Sequence, residues 1–369
     1  MTRRTFLGAA TLLGGAVGTA QLGADLSAFG GAHRHSEANR DAARQAQPER
    51  RTASGKAFIM DVHVHMGDRV SGITQQQMLE FRKDLYRPWT HIYDGDGKRI
   101  PRPEINTPAV EDLIALMDRD SIDVSVIMPS DHRRVASATD KVSQKRATGN
   151  DFIAEIARKY PNRLIAIAGH DPLRDQWNAA PELERCVKEL GMRGMKLYPP
   201  YDQFDPYDER LFPVYEKAIE LDVPLTFHTG WTPLLTGPLE FARPEPLDKV
   251  GIRYPDLKVN LAHVGGPAYW HGALITIGRH QNFTCDLSSW CTYPPQMLVE
   301  MLNLARDLVG LERVLFGSEH TLCPPGEFVE LLRNINHFGE IYRFPPFETR
   351  EIDAMLGLNA ARLYKWDTK

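Results

Sequence analysis

The chain has 369 residues, a formal net charge of -4 and 42% hydrophobic residues. This slightly acidic balance excludes the broad basic surface that binding to a nucleic-acid backbone requires. Beyond the N-terminal stretch, no run approaches the roughly 18 apolar residues of a membrane-spanning helix. The length and composition fit one large globular domain with a tail.

The N-terminus resembles a twin-arginine export signal, because Arg3 and Arg4 precede a weakly apolar, glycine-studded stretch that runs to about Ala20. We expect residues 1–29 to form this signal region, to be recognised by the twin-arginine translocase and to direct the protein to the periplasm or the cell exterior. The stretch is too short and too rich in glycine for stable membrane insertion. Residues 30–56 lack apolar periodicity and are expected to form a flexible linker before a domain at 57–369.

The first apolar run of that domain carries two histidines one residue apart, His63 and His65. Side chains at positions i and i+2 of a strand point to the same face, so both imidazoles and Asp61 are expected to share one side. Val62 and Val64 then point to the opposite, apolar side. This pattern predicts a metal site on the polar face of the strand.

Further along the chain, strand-like apolar runs alternate with amphipathic helical patterns. Counted with the run at 58–65 there are eight, the others lying at 122–128, 164–168, 192–197, 223–227, 258–262, 283–287 and 314–316. The spacing leaves room for one crossover helix between successive parallel strands. Asn150 is expected to cap one of these helices. Eight such units predict an α/β fold, a (β/α)₈ TIM barrel, whose active site forms at the C-terminal ends of the strands.

Side chains capable of metal binding or proton transfer stand at these strand ends. In chain order they are His63 and His65 on the first strand, His170 on the third, Lys196 on the fourth, His228 on the fifth, His263 on the sixth, Asp286 on the seventh and Glu319 on the eighth. Several imidazoles with a carboxylate suit a divalent cation, Zn²⁺ first and Mn²⁺ or Fe²⁺ as alternatives. The sequence therefore predicts a metal-dependent enzyme.

The chain is similar to the amidohydrolase-related family of the amidohydrolase superfamily, which includes aminocarboxymuconate semialdehyde decarboxylase, resorcylate decarboxylases and lactone hydrolases. The likeness covers about residues 57–366 and rests on six motifs: IMDVHVH at 59–65, GMKL at 194–197, TFHTG at 226–230, LAHVGG at 261–266, RVLFGSE at 313–319 and NAARL at 359–363. The resemblance implies that His63, His65 and His228 bind one metal and that His263 is a catalytic base or electrostatic group. It also implies a carboxylate from the last strand.

Glu319 departs from the family pattern, which has Asp at this position. The longer side chain is expected either to ligate or orient the metal-bound water or to act as a general acid/base. Glu319 is therefore predicted both as a metal ligand and as a catalytic residue.

Lys196 has two interpretations. In some members of the superfamily a carboxylated lysine on the fourth strand bridges two metal ions, whereas an unmodified lysine can pair with a substrate carboxylate. We expect one metal ion, or two if Lys196 is carboxylated. His170, Trp231 and Asp286 are further candidates for lining the substrate pocket.

These residues predict a metal-dependent hydrolase acting on a small, carboxylated or cyclic substrate through a metal-activated water. The alternative is a metal-dependent non-oxidative decarboxylase or a hydratase, with His263 assisting protonation at carbon. A third hypothesis is an exported binding protein that keeps the barrel fold but has lost catalytic activity. The resemblance also implies a homodimer as one possible assembly.

Overall fold

The computed structural model describes residues 57–66, 91–102, 109–129, 149–173, 179–232 and 237–368, and the statements below refer to these. The predicted signal region and linker lie outside the described residues. Among the described residues, no helix is both long enough and apolar enough to cross a membrane.

Eight parallel strands form the centre of the fold. They are β1 (Met60–His65), β2 (Val124–Met128), β3 (Leu164–Ala166, continued by Ala168–Gly169), β4 (Met195–Leu197), β5 (Leu225–His228), β6 (Val259–Ala262), β7 (Phe283–Asp286) and β8 (Val314–Leu315). Each strand pairs with the next in chain order. The last returns to the first, because the Val62 amide donates to the Phe316 carbonyl at 3.0 Å and the His65 amide to the His320 carbonyl at 2.8 Å. The predicted (β/α)₈ barrel is confirmed.

Helices separate the strands along the chain. They are α1 (Val110–Asp120), α2 (Asn150–Lys159), α3 (Ala179–Lys188), α4 (Pro199–Asp202), α5 (Phe212–Glu220), α6 (Pro246–Arg253), α7 (Trp270–Arg279), α8 (Pro295–Leu308), α9 (Pro325–Arg333), α10 (Ile335–Ile341), α11 (Thr349–Asp353) and α12 (Asn359–Leu363). A π-helical turn (Ala354–Leu358) joins the last two, and a two-stranded antiparallel hairpin (His91–Tyr93 with Arg99–Pro101) lies between β1 and α1.

The first strand, β1, carries both apolar packing residues and a histidine that faces the barrel interior. Met60 and Val62 are buried in an apolar cluster with residues of β2, β3 and the C-terminal helix α12, including Ala360. His63 instead contacts Lys196 on β4, across the barrel. Side chains that meet across the barrel lie in its interior, so His63 points inward.

The expected alternation is broken further along β1, because the pairing of β1 with β2 shifts register between Asp61 and Val64, as a β-bulge does. Val62 and Val64 therefore lie in different apolar clusters instead of sharing one face.

Asn150 does not cap α2 as expected. The N-cap is Gly149, and Asn150 is the first helical residue. Its side-chain oxygen accepts from the Gly169 amide at 2.9 Å, and its side-chain nitrogen donates to Glu182 at 2.7 Å. A side-chain amide offers both a donor and an acceptor. Asn150 on α2 uses both, and so connects the end of β3, just before His170, to the first turn of α3.

Candidate metal centre and active site

The strand ends bring a carboxylate and three imidazoles into one buried group. Glu319 follows β8, and its Oε2 lies 3.0 Å from Nε2 of His63 and 3.5 Å from Nδ1 of His263. Its other oxygen, Oε1, lies 3.4 Å from Nε2 of His65. The Glu319 amide donates to the His63 carbonyl at 3.0 Å, and its φ of 67° turns the chain at this point. The carboxylate is thus held across the seam between the eighth strand and the first.

This donor set fits a divalent cation. Ligand atoms of His63, His263 and Glu319 lie within 4.8 Å of one another. Two ligands each about 2.1 Å from one cation lie roughly 3.0 to 3.4 Å apart. Among the described residues, no hydrogen bond reaches the buried Oε2 of Glu319 or Nε2 of His228. Buried polar atoms need partners, and a cation would supply one.

The structure groups the predicted ligands in a different way from the sequence analysis. The tightest group includes His263, which was predicted to be catalytic. His65 lies beside this group, with its Nε2 3.4 Å from Oε1 of Glu319 and its ring centroid 5.2 Å from that of His63. His228 contacts this group through His263, with its Nδ1 3.1 Å from Nε2 of His263. All of the predicted ligands therefore lie in one connected cluster.

Burial decides the protonation of three of these imidazoles. It lowers the pKa of His263 to about 3, that of His65 to about 4, and that of His228 well below its ordinary value. The nearby Glu319 carboxylate opposes each shift without reversing it. The three rings are thus neutral near pH 7, the form in which imidazole binds metal.

Burial also opposes the ionised form of Glu319. His63, His263 and His65 outweigh this effect and hold its pKa well below the usual range. Glu319 is therefore a carboxylate that can bind a cation.

Lys196 adds a cation to the cluster. Its side chain is fully buried, with Nζ 3.2 Å from Nε2 of His63 and 5.5 Å from the ring centroid of Tyr198. Burial lowers the pKa of Lys196 to about 8, against the opposing charges of Asp286 and Glu319. The ammonium form dominates near pH 7, which favours pairing with an anion.

Asp286 makes its contacts within the protein. Its carboxylate is fully buried and faces Asn260, His63, Ser288 and the backbone of His263. These protein contacts occupy both of its oxygens. Its predicted role in substrate binding stays a prediction.

His170 and Trp231 follow β3 and β5, on the same end of the barrel as the cluster. His170 is buried, and the Trp231 amide donates to the Gly266 carbonyl at 2.8 Å. Their roles in substrate binding stay predictions.

Sequence reasoning missed several residues of the site. Tyr201 is buried, and its ring centroid lies 4.9 Å from that of His228. Ser318 donates from its amide and hydroxyl to Asp61, at 2.9 and 2.6 Å, and so joins the end of β8 to β1. Burial raises the pKa of Asp61 to about 6 although these bonds lower it. The one available signal was position, since Ser318 directly precedes Glu319.

The amidohydrolase family model matches residues 60–366. Over 280 residues the chain is 27% identical to a 2-amino-3-carboxymuconate-6-semialdehyde decarboxylase of Dictyostelium discoideum, covering 66% of this chain and 76% of the relative. Over 256 residues it is 26% identical to a 2-keto-4-carboxy-3-hexenedioate hydratase of Sphingobium sp., covering 59% of this chain and 73% of that protein.

A solved structure of 5-carboxyvanillate decarboxylase from Novosphingobium aromaticivorans, complexed with manganese and 4-hydroxy-3-methoxy-5-nitrobenzoic acid, shares the fold. The TM-score is 0.56 at 18% identity, and the match covers 84% of this chain and 96% of that one. Because the family model extends from β1 to the residues just after α12 and so includes the whole cluster, the chain belongs to the amidohydrolase family.

Proposed function

We propose that this protein is a metal-dependent, non-oxidative decarboxylase of a small carboxylic acid. The observation that carries the proposal is the buried Lys196 ammonium 3.2 Å from Nε2 of His63, beside a donor set suited to a divalent cation. Two positive centres in one buried site match a substrate that carries a carboxylate. The named decarboxylases among the relatives support this reaction.

The predicted ligands His63, His65, His228 and Glu319 would hold the cation. When bound, it supplies Lewis-acid charge that stabilises the negative charge developing on the substrate. Lys196 would bind and orient the substrate through an oxygen of a carboxylate. Tyr201, whose ring packs near that of His228, would cover one side of the pocket and exclude water.

Decarboxylation breaks one C–C bond, leaves its electron pair on the substrate carbon and releases CO₂. A proton must then replace CO₂ at that carbon, and we assign its delivery to His263. The ring of His263 is neutral because burial lowers its pKa to about 3. Negative charge beside an imidazole raises its pKa. An anionic substrate therefore raises the pKa of His263, in opposition to burial and to the Lys196 charge. His263 would take up a proton from solvent and pass it to the carbon that has lost CO₂.

The sequence analysis placed hydrolysis first, and the named relatives now favour the alternative, decarboxylation. The relatives include named decarboxylases. The hydratase among them makes hydration the second candidate.

The test is to purify the protein, remove bound metal, and restore Zn²⁺ or Mn²⁺ in parallel. A panel of small carboxylic acids, including hydroxylated aromatic acids, is then assayed for CO₂ release, for water addition and for hydrolysis of matched lactones. We expect metal-dependent CO₂ release from at least one acid. Hydrolysis or hydration without CO₂ release would overturn the proposal.

Two variants serve as controls. His63→Ala should remove the bound metal and the activity together, whereas His337→Ala changes a surface histidine on α10 and should leave both unchanged. Activity that survives in His63→Ala would exclude a reaction at this site.

A further inference from the structure

Asp286 lies at the end of β7 and contacts hydrogen-bond donors on both oxygens. Its Oδ2 accepts from the side-chain nitrogen of Asn260 at 2.8 Å and lies 3.4 Å from Nδ1 of His63. Its Oδ1 accepts from the amides of His263 and Ser288, both at 3.1 Å, and from the Ser288 hydroxyl. An ionised carboxylate only accepts hydrogen bonds, so each contact assigns a proton to the partner atom.

The Ser288 hydroxyl lies between Asp286 and His263 and determines which nitrogen of His263 carries a hydrogen. It has one proton, which it donates to Asp286, so it can only accept from other groups. Its Oγ lies 2.7 Å from Nδ1 of His263, and the Ser288 carbonyl lies 3.4 Å from the same nitrogen. Two acceptors face this nitrogen, so Nδ1 of His263 carries a hydrogen. The ring is neutral, which leaves Nε2 with a lone pair.

The same argument extends to His228. Nε2 of His263 lies 3.1 Å from Nδ1 of His228. A nitrogen with a lone pair accepts, so Nδ1 of His228 carries the hydrogen and its Nε2 carries the lone pair. Within the part of the chain that the structure describes, this Nε2 is buried and receives no hydrogen bond. The atom that the protein leaves unbonded is the one that can bind a metal.

Two branches of contacts thus start at Asp286, one from Oδ1 through Ser288 and one from Oδ2. On the second branch, Oδ2 faces Nδ1 of His63, so this nitrogen carries a hydrogen. The lone pair of His63 then lies on Nε2. The Lys196 ammonium, which can only donate, lies 3.2 Å from this atom and so requires a lone pair on it. Oε2 of Glu319 is 3.0 Å away but, among the described residues, accepts no hydrogen bond. One buried carboxylate thus determines which nitrogen carries the lone pair in three histidines.

We propose that Asp286 and Ser288 are positioning residues that fix the tautomers of the site. They present Nε2 of His63 and of His228 to the metal, and they keep Nδ1 of His263 protonated and outside the ligand set. Partners that orient a ligating histidine tune metal affinity. The inference rests on the proposed metal site, and it leaves His263 outside the metal ligands although this residue lies within the tightest group of possible ligands.

The first experiment observes the tautomers directly. Metal-stripped protein with ¹⁵N-labelled histidine is studied by two-bond ¹H–¹⁵N correlation, which distinguishes a hydrogen on Nδ1 from one on Nε2. His63→Gln, His228→Gln and His263→Gln assign the signals. We expect the hydrogen on Nδ1 in all three rings of the wild-type protein.

Ser288→Ala gives an asymmetric prediction, because Ser288 lies on only one of the two branches from Asp286. His263 and His228 should lose their single tautomer, whereas His63 should keep it. Asp286→Asn should disturb all three. A purely structural role for Ser288 would not separate His63 from the other two.

The second experiment measures metal affinity by chelator competition, with Zn²⁺ and Mn²⁺ as the probes. Ser288→Ala should weaken binding by about 10-fold to 100-fold. Ser288→Thr keeps the hydroxyl and should recover most of the affinity. The matched control is Thr229→Ala, because the buried Thr229 hydroxyl donates to the Ala262 carbonyl at 2.7 Å and accepts from the Gly265 amide at 3.1 Å. Its loss should change metal affinity by no more than about twofold.

A wild-type spectrum with the hydrogen on Nε2 of His228 or of His263 would overturn the inference. So would a Ser288→Ala affinity within about twofold of wild type. Neither measurement requires turnover. If tautomers and affinities behave as expected while no acid releases CO₂, the proposed reaction fails and the positioning role stands.

Discussion

Oε2 of Glu319 lies 3.0 Å from Nε2 of His63, across the seam at which the eighth strand of the barrel meets the first. The two residues also share a backbone hydrogen bond, from the Glu319 amide to the His63 carbonyl at 3.0 Å. His63 therefore contacts Glu319 through both its main chain and its side chain. It makes Glu319 sensitive to any change in side-chain length.

Glu319→Gln should fold and keep partial metal binding but lose most activity, because an amide has a ligating oxygen and no negative charge. Changes to residues that only support a metal ligand typically cost about 10-fold to 100-fold, so we expect at least this loss, about 1.4 to 2.7 kcal/mol of barrier. Steady-state kinetics on the substrate found by the CO₂ assay measures this effect. A rate within about threefold of wild type would exclude a role for the charge.

Glu319→Asp is the sharper test of geometry. The shorter side chain withdraws the carboxylate by about 1.5 Å, enough to cost on the order of 10²-fold in rate. The charge is unchanged, so the loss reports reach alone. Turnover equal to or above wild type would mean that Glu319 is only a tolerated replacement for aspartate.

Gly230 follows β5 with a φ of 85°, and a Cβ placed on it would lie 2.4 Å from the Gly266 carbonyl oxygen. Gly230→Ala should therefore displace the loop after His263 and lower the free energy of unfolding by about 2 kcal/mol or more. Urea unfolding measures the change. Gly339→Ala is the matched control, because the nearest atoms lie 3.9 Å from its Cβ, and it should be neutral or stabilise α10 by about 0.5 kcal/mol.

Glu182 makes stability depend on pH away from the site. Hydrogen bonds from Arg185 and then from Asn150 lower the pKa of Glu182 to about 2 from an ordinary value of 4.5, although burial opposes this shift. A lowered pKa means that the unfolded chain binds the proton more readily, so the contribution is full above pH 4.5 and is lost as the pH falls towards 2.

Urea midpoints of wild type and Glu182→Gln check this prediction. The variant should be less stable at neutral pH by an amount that stays constant down to about pH 5 and shrinks towards about pH 3. A difference that is independent of pH throughout this range would assign the effect to packing instead of charge.

Export also remains a proposal, and it concerns residues outside those that the structure describes. Replacing Arg3 and Arg4 with lysine should leave a full-length precursor in the cytoplasm, because the arginine pair is the recognised feature of the signal. Fractionation of cells and immunoblotting follow the precursor. Unchanged export of the double variant would remove the claim.

The sequence by itself determined the barrel and the composition of its active end. The repeat of strand and helix placed the chemically active residues at strand ends, where β/α barrels bring them together. These features are local, since each depends on neighbouring residues along the chain. For this reason His63, Lys196, His228, His263 and Glu319 could all be named in advance.

Only the tertiary structure decided how these residues act on one another. Asp286 and His63 are 223 positions apart in sequence, and nothing local to either indicates their contact. Ser288 and Asn260 carry no motif, and their importance depends on which atoms lie within about 3 Å of a carboxylate. A hydrogen bond depends on distance and direction in space, so the strand ends follow from sequence pattern, whereas the tautomers that prepare them for a metal follow from the fold.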